Sequence, residues 1–470
     1  MRATPAEDAV RIETDSLGSL AVPASAYYGI HTMRAAANFP ITGRTLSVYP
    51  HLLSALAQVK SAAAAANRDL GQLDEAKADA IITACAEITA GALHDQFIVD
   101  VLQGGAGTST NMNSNEVVAN RALEHLGRVR GDYQHLHPID DVNHSQSTND
   151  VYPTALKLAL RHQLTELSDS FDRLIAAFDG KAAEFRTIGK VGRTQLQDAV
   201  PMTLGQEFGA YVATLREEIP RFADLQRLLA EINLGGTAIG TGLNTHPQYV
   251  HLAAEHLAAV SGRNVTPADD LIEATQDTGV FVQVSATIKR AAVKLSKISN
   301  DLRLLSSGPQ HGFAEINLPP MQAGSSIMPG KVNPVIPEVV NQVAFEIIGN
   351  DMTITIAAEA GQLQLNAFEP VIALSLFDGI RHLTAAAEVL ADRCVTGITA
   401  NTSFLAEQLR SSASFVTALT PWIGYADAAK VASEAVATRQ PIEQLVLARG
   451  LMTHDELAQA RLRALPDLAR

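Results

Sequence analysis

The sequence predicts an all-α, mainly helical protein of three domains built around a central bundle of long helices. Three observations predict this class. Ala and Leu dominate an apolar set that makes up 47% of the 470 residues, while aromatic residues make up only 5%, a balance that favours helices over sheets. Apolar residues recur in steps of three and four through the middle of the chain, the period of an amphipathic helix. Several of these runs last roughly 25 residues, about 37 Å at 1.5 Å per residue, and stripes of that length need partner helices.

In chain order, residues 1–146 read as a mixed, mainly helical N-terminal domain. The segment "YYGIHTMRAAANFPITGR" (27–44) reads as loop and turn, and an alanine-rich helix is expected from about Leu52 to Asn67. "QGGAGTSTNMNSNE" (103–116) is so rich in Gly, Ser, Thr and Asn that it is expected to be a loop, entering a helix at its end. "HSQSTND" (144–150) should directly precede a helix beginning near Pro153.

The central domain, 147–402, carries the long stripes. Leu164, Leu167, Phe171, Leu174 and Phe178 form the first. Phe208, Val212, Leu215, Ile219, Phe222 and Leu229 form the second, with Leu225 one place off the register. Ile288, Ala291, Leu295, Ile298, Leu302 and Leu305 form the third. Two further helical runs, Val335–Ala360 and about Val371–Leu390, are apolar on more of their circumference. That predicts burial on more than one side, and a bundle that continues across a subunit interface. From 403 to 470 the stripes shorten and charges increase, which predicts a small C-terminal helical domain.

Charge and cysteine content narrow the function. The net charge is −14, with no block of lysines and arginines, which argues against nucleic acid or an anionic membrane as the main partner. Any anion site must therefore be made donor-rich locally. Cys85 and Cys394 are the only cysteines and have no neighbours at metal-ligand spacing, so a reducing compartment and no disulfide framework are expected; no carboxylate cluster has convincing ligand spacing either, and no metal site is expected. The opening "MRATPAEDAVRIETD" lacks a secretory pattern, and no apolar run approaches the ~20 residues of a membrane span. These features predict a soluble, cytoplasmic protein.

"GSSIMPGKVNP" (324–334) gathers turn formers, two hydroxyls and a lysine just before a helical run. A phosphate loop requires four residues between its first Gly and the Gly-Lys pair, then Ser or Thr. Here five residues separate Gly324 from Gly330, Val332 follows Lys331, and the preceding segment holds two prolines. The phosphate reading fails. A plain helix connection would use Asn333 as cap and Pro334 in the first turn, but leaves Ser325, Ser326 and Lys331 unexplained. "GTSTNMN" (107–113), "HSQSTND" (144–150) and "GRTQLQD" (192–198) are likewise donor-rich and neutral. Thr108, Ser147, Thr148, Asn149, Thr194 and Gln195 could bind a carboxylate as walls of one pocket.

These motifs, together with "YYGIHTMRA", "GGAGTSTNMNSNEVVANRA", "NLGGTAIGTGLN", "LSKISNDLRLLSSGP" and "EAGQLQLNAFEPVI", resemble in order those of the fumarase/aspartase superfamily of carbon–heteroatom lyases, over residues 11 to 401. Within it the likeness is greatest to the members that eliminate ammonia from L-aspartate to give fumarate. The resemblance implies that Ser325 is the general base and that Lys331 and Asn333 hold substrate carboxylate. Ser326 would line the loop, and Thr108, Ser147, Thr148, Asn149 and Thr194 would bind the other polar ends. Arg34 lies in a segment that also approaches such sites. The resemblance further implies no cofactor, a dicarboxylate substrate, and a homotetramer whose twenty-helix core takes five helices per chain and whose sites are shared among three subunits.

Two rivals remain, a fumarate hydratase or related lyase and a non-catalytic structural member. Hydratases of the superfamily place histidine after "GRT"; Gln195 stands there, and it cannot shuttle a proton. His144 occupies a position where lysine is usual.

Overall fold

The computed structural model describes residues 9–464. The last six residues of the expected C-terminal domain, and part of the opening stretch read for a secretory signal, lie outside them. The described chain is mainly α, with sixteen helices and only short two-stranded pairings. No helix among these residues is long and apolar enough to cross a membrane.

A hairpin of β1 (Val10–Asp15) and β2 (Gly18–Pro23) opens it. Four helices follow: α1 (Ile30–Asn38), α2 (Pro50–Asp69), α3 (Glu75–Thr89) and α4 (Thr108–His125). The alanine run forms α2 as expected, and its small side chains let it sink completely, with every residue from Ala55 to Asn67 buried. The stretch expected to be loop to residue 116 departs from that reading, because α4 already starts at Thr108. Asn111, Asn113, Asn115 and Asn120 are all buried on it. Several of these asparagines find hydrogen-bond partners inside the fold, which offsets their poor helix propensity.

The long helix α5 (Thr148–Glu184) spans 37 residues. It begins five residues before the expected start at Pro153, which sits inside it. Proline lacks the N–H that would bond the carbonyl of Asn149; that carbonyl accepts instead from Asn233 Nδ2 at 3.0 Å. Next come β3 (Gly189–Thr194) and β4 (Gln197–Thr203), then α6 (Leu204–Arg216) and α7 (Glu218–Leu228). The second stripe is thus two helices, interrupted at Glu217 just before Pro220. The register resets there, so Leu225 falls on the inner face with Phe222 and Leu229, all three buried.

A short parallel pair, β5 (Glu231–Ile232) and β6 (Thr266–Pro267), brackets α8 (Tyr249–Ser261). Then follow α9 (Leu271–Gln276), α10 (Gly279–Leu305), β7 (Ile316–Asn317), α11 (Val335–Glu359) and α12 (Glu369–Arg393). Strand β8 (Thr399–Ala400) pairs with β7. The chain ends in α13 (Thr402–Ser411), α14 (Val416–Thr438), α15 (Ile442–Ala448) and α16 (His454–Ala464), with α14 kinked at Gly424.

The chain packs as two compact units. One comprises the chain up to Leu167, Pro220–Lys289 and Glu346–Arg381; the other comprises Ser168–Ile219, Arg290–Phe345 and the chain from His382. In the first unit, Ser285 and Lys289 of α10 both bind Asp351 of α11, at 2.8 and 2.5 Å. In the second, Asn341 of α11 donates to Ser296 of α10, and Arg173 of α5 pairs with Glu388 and Asp392 of α12. The buried faces of α5, α10 and α12 carry the stripes read from the sequence.

Candidate active site

The candidate residues fall into two sets, one in each unit. In the first unit the donors gather around the start of α5. Asn111 Nδ2, one turn into α4, donates at 3.1 Å to Thr148 Oγ1 and at 3.1 Å to Asn143 Oδ1. Asn143 Oδ1 also accepts from Asn115 at 3.1 Å and from Lys60 Nζ at 2.9 Å, and Lys60 further reaches Gln146 Oε1 at 2.9 Å. Lys60 is fully buried, and burial pulls its pKa down to about 7.

Asp150 braces the same turn. Its carboxylate accepts from the backbone N–H of Ser147 at 3.0 Å, of Gly235 at 3.0 Å and of Thr237 at 2.9 Å. Burial raises its pKa to about 7, against the pull of those three donors and of Lys60. The hydroxyls above are oriented as a consequence. Thr148 Oγ1 accepts from Asn111, and Ser147 Oγ accepts from the Asn149 N–H at 3.2 Å. Each oxygen accepts one bond and keeps its proton to donate, which is what a carboxylate ligand needs. Asn149 spends one amide hydrogen on Ala238 O at 2.7 Å. All three residues are half-buried.

Thr108 opens α4 and is exposed, its hydroxyl turned back onto Gly105 O at 2.7 Å. Gly107 before it has φ 85°, and a Cβ there would stand 2.6 Å from the Tyr152 ring, so only glycine lets the turn approach α5. Arg34 is directed elsewhere: it pairs with Asp15 at 2.8 Å and reaches Gly18 O, in the first hairpin. His144 offers its carbonyl to Asn67 and its side chain to none of the candidate residues.

In the second unit, Thr194 and Gln195 lie at the tip of the β3–β4 hairpin, both exposed. The two turn residues, Gln195 and Leu196, have φ of 52° and 62°. That is the two-residue turn matching strand twist, which ordinarily takes Asn or Gly.

The loop carrying Ser325 is closed on itself. Gly324 N–H donates to Lys331 O at 2.8 Å, and Asn333 Nδ2 donates to Gly324 O at 2.8 Å. A Cβ on Gly324 would meet Lys331 O at 2.4 Å, so this closure requires glycine. Asn333 spends its side-chain N–H on closing the loop, while its backbone carbonyl accepts from the Val335 N–H at 2.9 Å at the start of α11. Within the ring, Ser325 Oγ accepts two backbone N–H bonds, from Ile327 at 3.2 Å and Met328 at 2.9 Å. Ser326 and Lys331 are exposed.

Lys60, Asn111, Asn143 and Asp150 escaped the sequence reading. Only Lys60 carried a usable signal, a lone charge inside an alanine run. A cavity of about 870 Å³ in the second unit is walled by residues such as Ile188, Leu409, Phe415 and Ile442, and no candidate residue lines it. Among the described residues, no group of three or more His, Cys, Asp or Glu side chains is placed to hold a metal ion.

Comparison with known proteins gives a consistent picture. The sequence matches the family described as Lyase over residues 18–349 and that described as Fumarase C C-terminus over residues 415–461. The aspartate ammonia-lyase of Pseudomonas aeruginosa is 58% identical over 453 residues, covering 96% of each chain. That of Escherichia coli is 53% identical over 449 residues, covering 95% of this chain and 94% of the relative. A fumarate lyase:delta crystallin structure from Brucella melitensis superposes with a TM-score of 0.94 at 54% identity, covering 98% of this chain and 99% of that one. A class II fumarase from Schistosoma mansoni gives 0.92 at 34% identity, covering 97% and 100%.

Proposed function

Because the chain belongs to the fumarase/aspartase superfamily and is a carbon–nitrogen lyase, we propose that it reversibly eliminates ammonia from L-aspartate to give fumarate, with Ser325 as the base. The observation that carries the base assignment is the pair of N–H bonds received by Ser325 Oγ. A serine hydroxyl removes a carbon-bound proton only if its alkoxide is favoured, and donors aimed at the oxygen favour the charged form.

The proton leaves the carbon beside the carboxylate remote from the amine and passes to Ser325 Oγ. The electron pair spreads into that carboxylate as an aci-carboxylate, then returns to form the double bond as the carbon–nitrogen bond breaks and ammonia departs. Charge builds on the carboxylate oxygens, and each fixed donor there commonly contributes about 3 kcal/mol in enzymes of this kind. Thr148 and Ser147 keep protons to give. Lys331 and Asn333 supply an ammonium and an amide, with Ser326 lining the loop; Thr108, Asn149, Thr194 and Gln195 complete the polar wall. The substrate's own carboxylates activate the neighbouring carbon, so the step is written without a cofactor.

The same reading has four copies assembled so that three chains contribute to each site. Support comes from α11, whose inner face holds buried Val340, Ala344 and Ile347 while Phe345, Ile348, Met352 and Ile356 form an exposed apolar stripe on the other side. An apolar stripe of this kind marks a surface made for another protein chain. A cytoplasmic setting agrees with Cys85 and Cys394, both buried and unpaired.

The deciding experiment incubates the protein with fumarate and ammonium, then with fumarate alone. Aspartate should form in the first; malate in the second, without aspartate in the first, overturns the assignment. Ser325→Ala should lower kcat by about a hundredfold to ten-thousandfold while circular dichroism and assembly stay unchanged. Turnover within tenfold of the parent removes Ser325 as base.

A further inference from the structure

Beneath the hairpin that bears Thr194 and Gln195 lies a cluster of charges for which the reaction has no direct use. Lys190 on β3 is 1% exposed, and its Nζ lies 2.5 Å from Glu207 and 2.6 Å from Glu315. Glu315 is fully buried and accepts from Arg193 Nη1 at 2.5 Å through its other oxygen. The Arg193 guanidinium also stacks on Phe313, 4.5 Å from the ring centroid.

Residues three apart on a regular strand point to opposite faces. Here the register shifts between Val191 and Arg193. The extra residue lies on β4, where Ala199 and Val200 stand opposite Gly192, and across this irregularity Lys190 and Arg193 both reach Glu315, so that one carboxylate serves both. Gly192 makes the bulge possible, since a Cβ there would stand 2.9 Å from Val200 O. Glu315 itself is pinned by its backbone: its N–H donates to Leu305 O, and its carbonyl accepts from Asn401, both at 2.9 Å.

A buried ion cluster is poor evidence for stability, because desolvating its members roughly offsets their attraction. A strained turn, by contrast, persists only where its surroundings over-determine it. The tip of this hairpin is such a turn, and Arg193 immediately precedes Thr194. We propose that Glu315 is a positioning residue for substrate binding: by holding Lys190 and Arg193 together beside the bulge, it fixes the aim of Thr194 and Gln195. This rests on the reading of those two residues as substrate contacts.

The test uses the full-length assembled protein. Glu315→Gln keeps the shape and removes the charge; Glu315→Asp restores the charge with a shorter reach. Arg193→Lys keeps the cation but loses the planar fork, and leaves Lys190 paired. In a Glu315→Gln protein with the parent's circular dichroism and assembly, KM for aspartate should rise at least tenfold while kcat falls less than threefold. Amide hydrogen exchange over 194–198 should quicken at least tenfold, and Glu315→Asp should recover part of both. A purely structural role would lower the melting temperature without this KM-selective change. KM and exchange within twofold of the parent in a folded variant overturn the proposal. Should Glu315→Gln fail to fold, Arg193→Lys is judged by the same two thresholds. If the parent turns over no aspartate, the functional reading falls, and exchange over 194–198 still decides whether Glu315 fixes the hairpin.

Discussion

Leu196 occupies a left-handed backbone conformation with its side chain 63% exposed. Such a conformation costs a non-glycine residue about 1–2 kcal/mol, and Asn tolerates it better. Leu196→Asn should therefore raise stability by roughly 0.5–1 kcal/mol in thermal unfolding; a loss of stability would mean that Leu196 packs against something in the assembled protein. Positive φ also occurs at Ala106, Ser145 and Thr237, beside other candidate residues. The sequence announced the hydroxyls at these places, because Ser and Thr in Gly-rich stretches stand out. It did not announce their supports. Asn111 and Asn143 read as loop residues, and only folding shows that Asn143 collects three donors and thereby orients Thr148 through Asn111.

Among elements, α5 gives the sharpest test. Asn233 supplies the hydrogen bond that Pro153 withholds from the Asn149 carbonyl. Asn233→Leu should cost about 1–3 kcal/mol by leaving that carbonyl orphaned. Adding Pro153→Ala restores an N–H to the helix and should return about 1 kcal/mol of the loss. Strict additivity of the two changes in denaturant unfolding would sink the pairing.

Helix α12 supplies a pH dependence. Its first residue, Glu369, is buried, which raises its pKa to about 8 even though Lys157 opposes the shift. A carboxyl raised above its unfolded pKa of 4.5 binds more protons folded than unfolded between those values. Its contribution to stability is therefore present at low pH and lost as pH rises through about 8. Glu369→Gln should gain on the parent by a few kcal/mol between pH 5 and pH 8, read as a widening difference in Tm. A constant difference across that range contradicts the burial argument. The long stripes were legible because a 3.6-residue period survives any tertiary context. The break at Glu217 was not, because an interrupted helix keeps the same composition and betrays itself only in Leu225 and Pro220.

At the scale of the whole molecule, the apolar surplus of α11 is the feature that looks beyond one chain. Its outer stripe includes Phe345 at 62% and Met352 at 61% exposure, a surface that water disfavours at about 25 cal/mol per Å². Ile348→Glu with Met352→Lys should yield smaller species by sedimentation, with activity lost in proportion to assembly. Full activity in a monomer would show that one chain holds a complete site. The all-helical class was readable from composition and period. The division into two compact units, each made of three separate stretches, was not, since a contiguous stripe gives no sign of where along a helix the packing partners change.

The ring closed by Gly324, Lys331 and Asn333 has one further consequence. Its ends are tied to each other, so the segment can swing only about hinges outside the knot. Whatever posture it adopts, the serine oxygen travels with both of its amide donors already in place. With Ser325 as the proposed base, the oxygen that takes the proton is thus prepared before a substrate arrives.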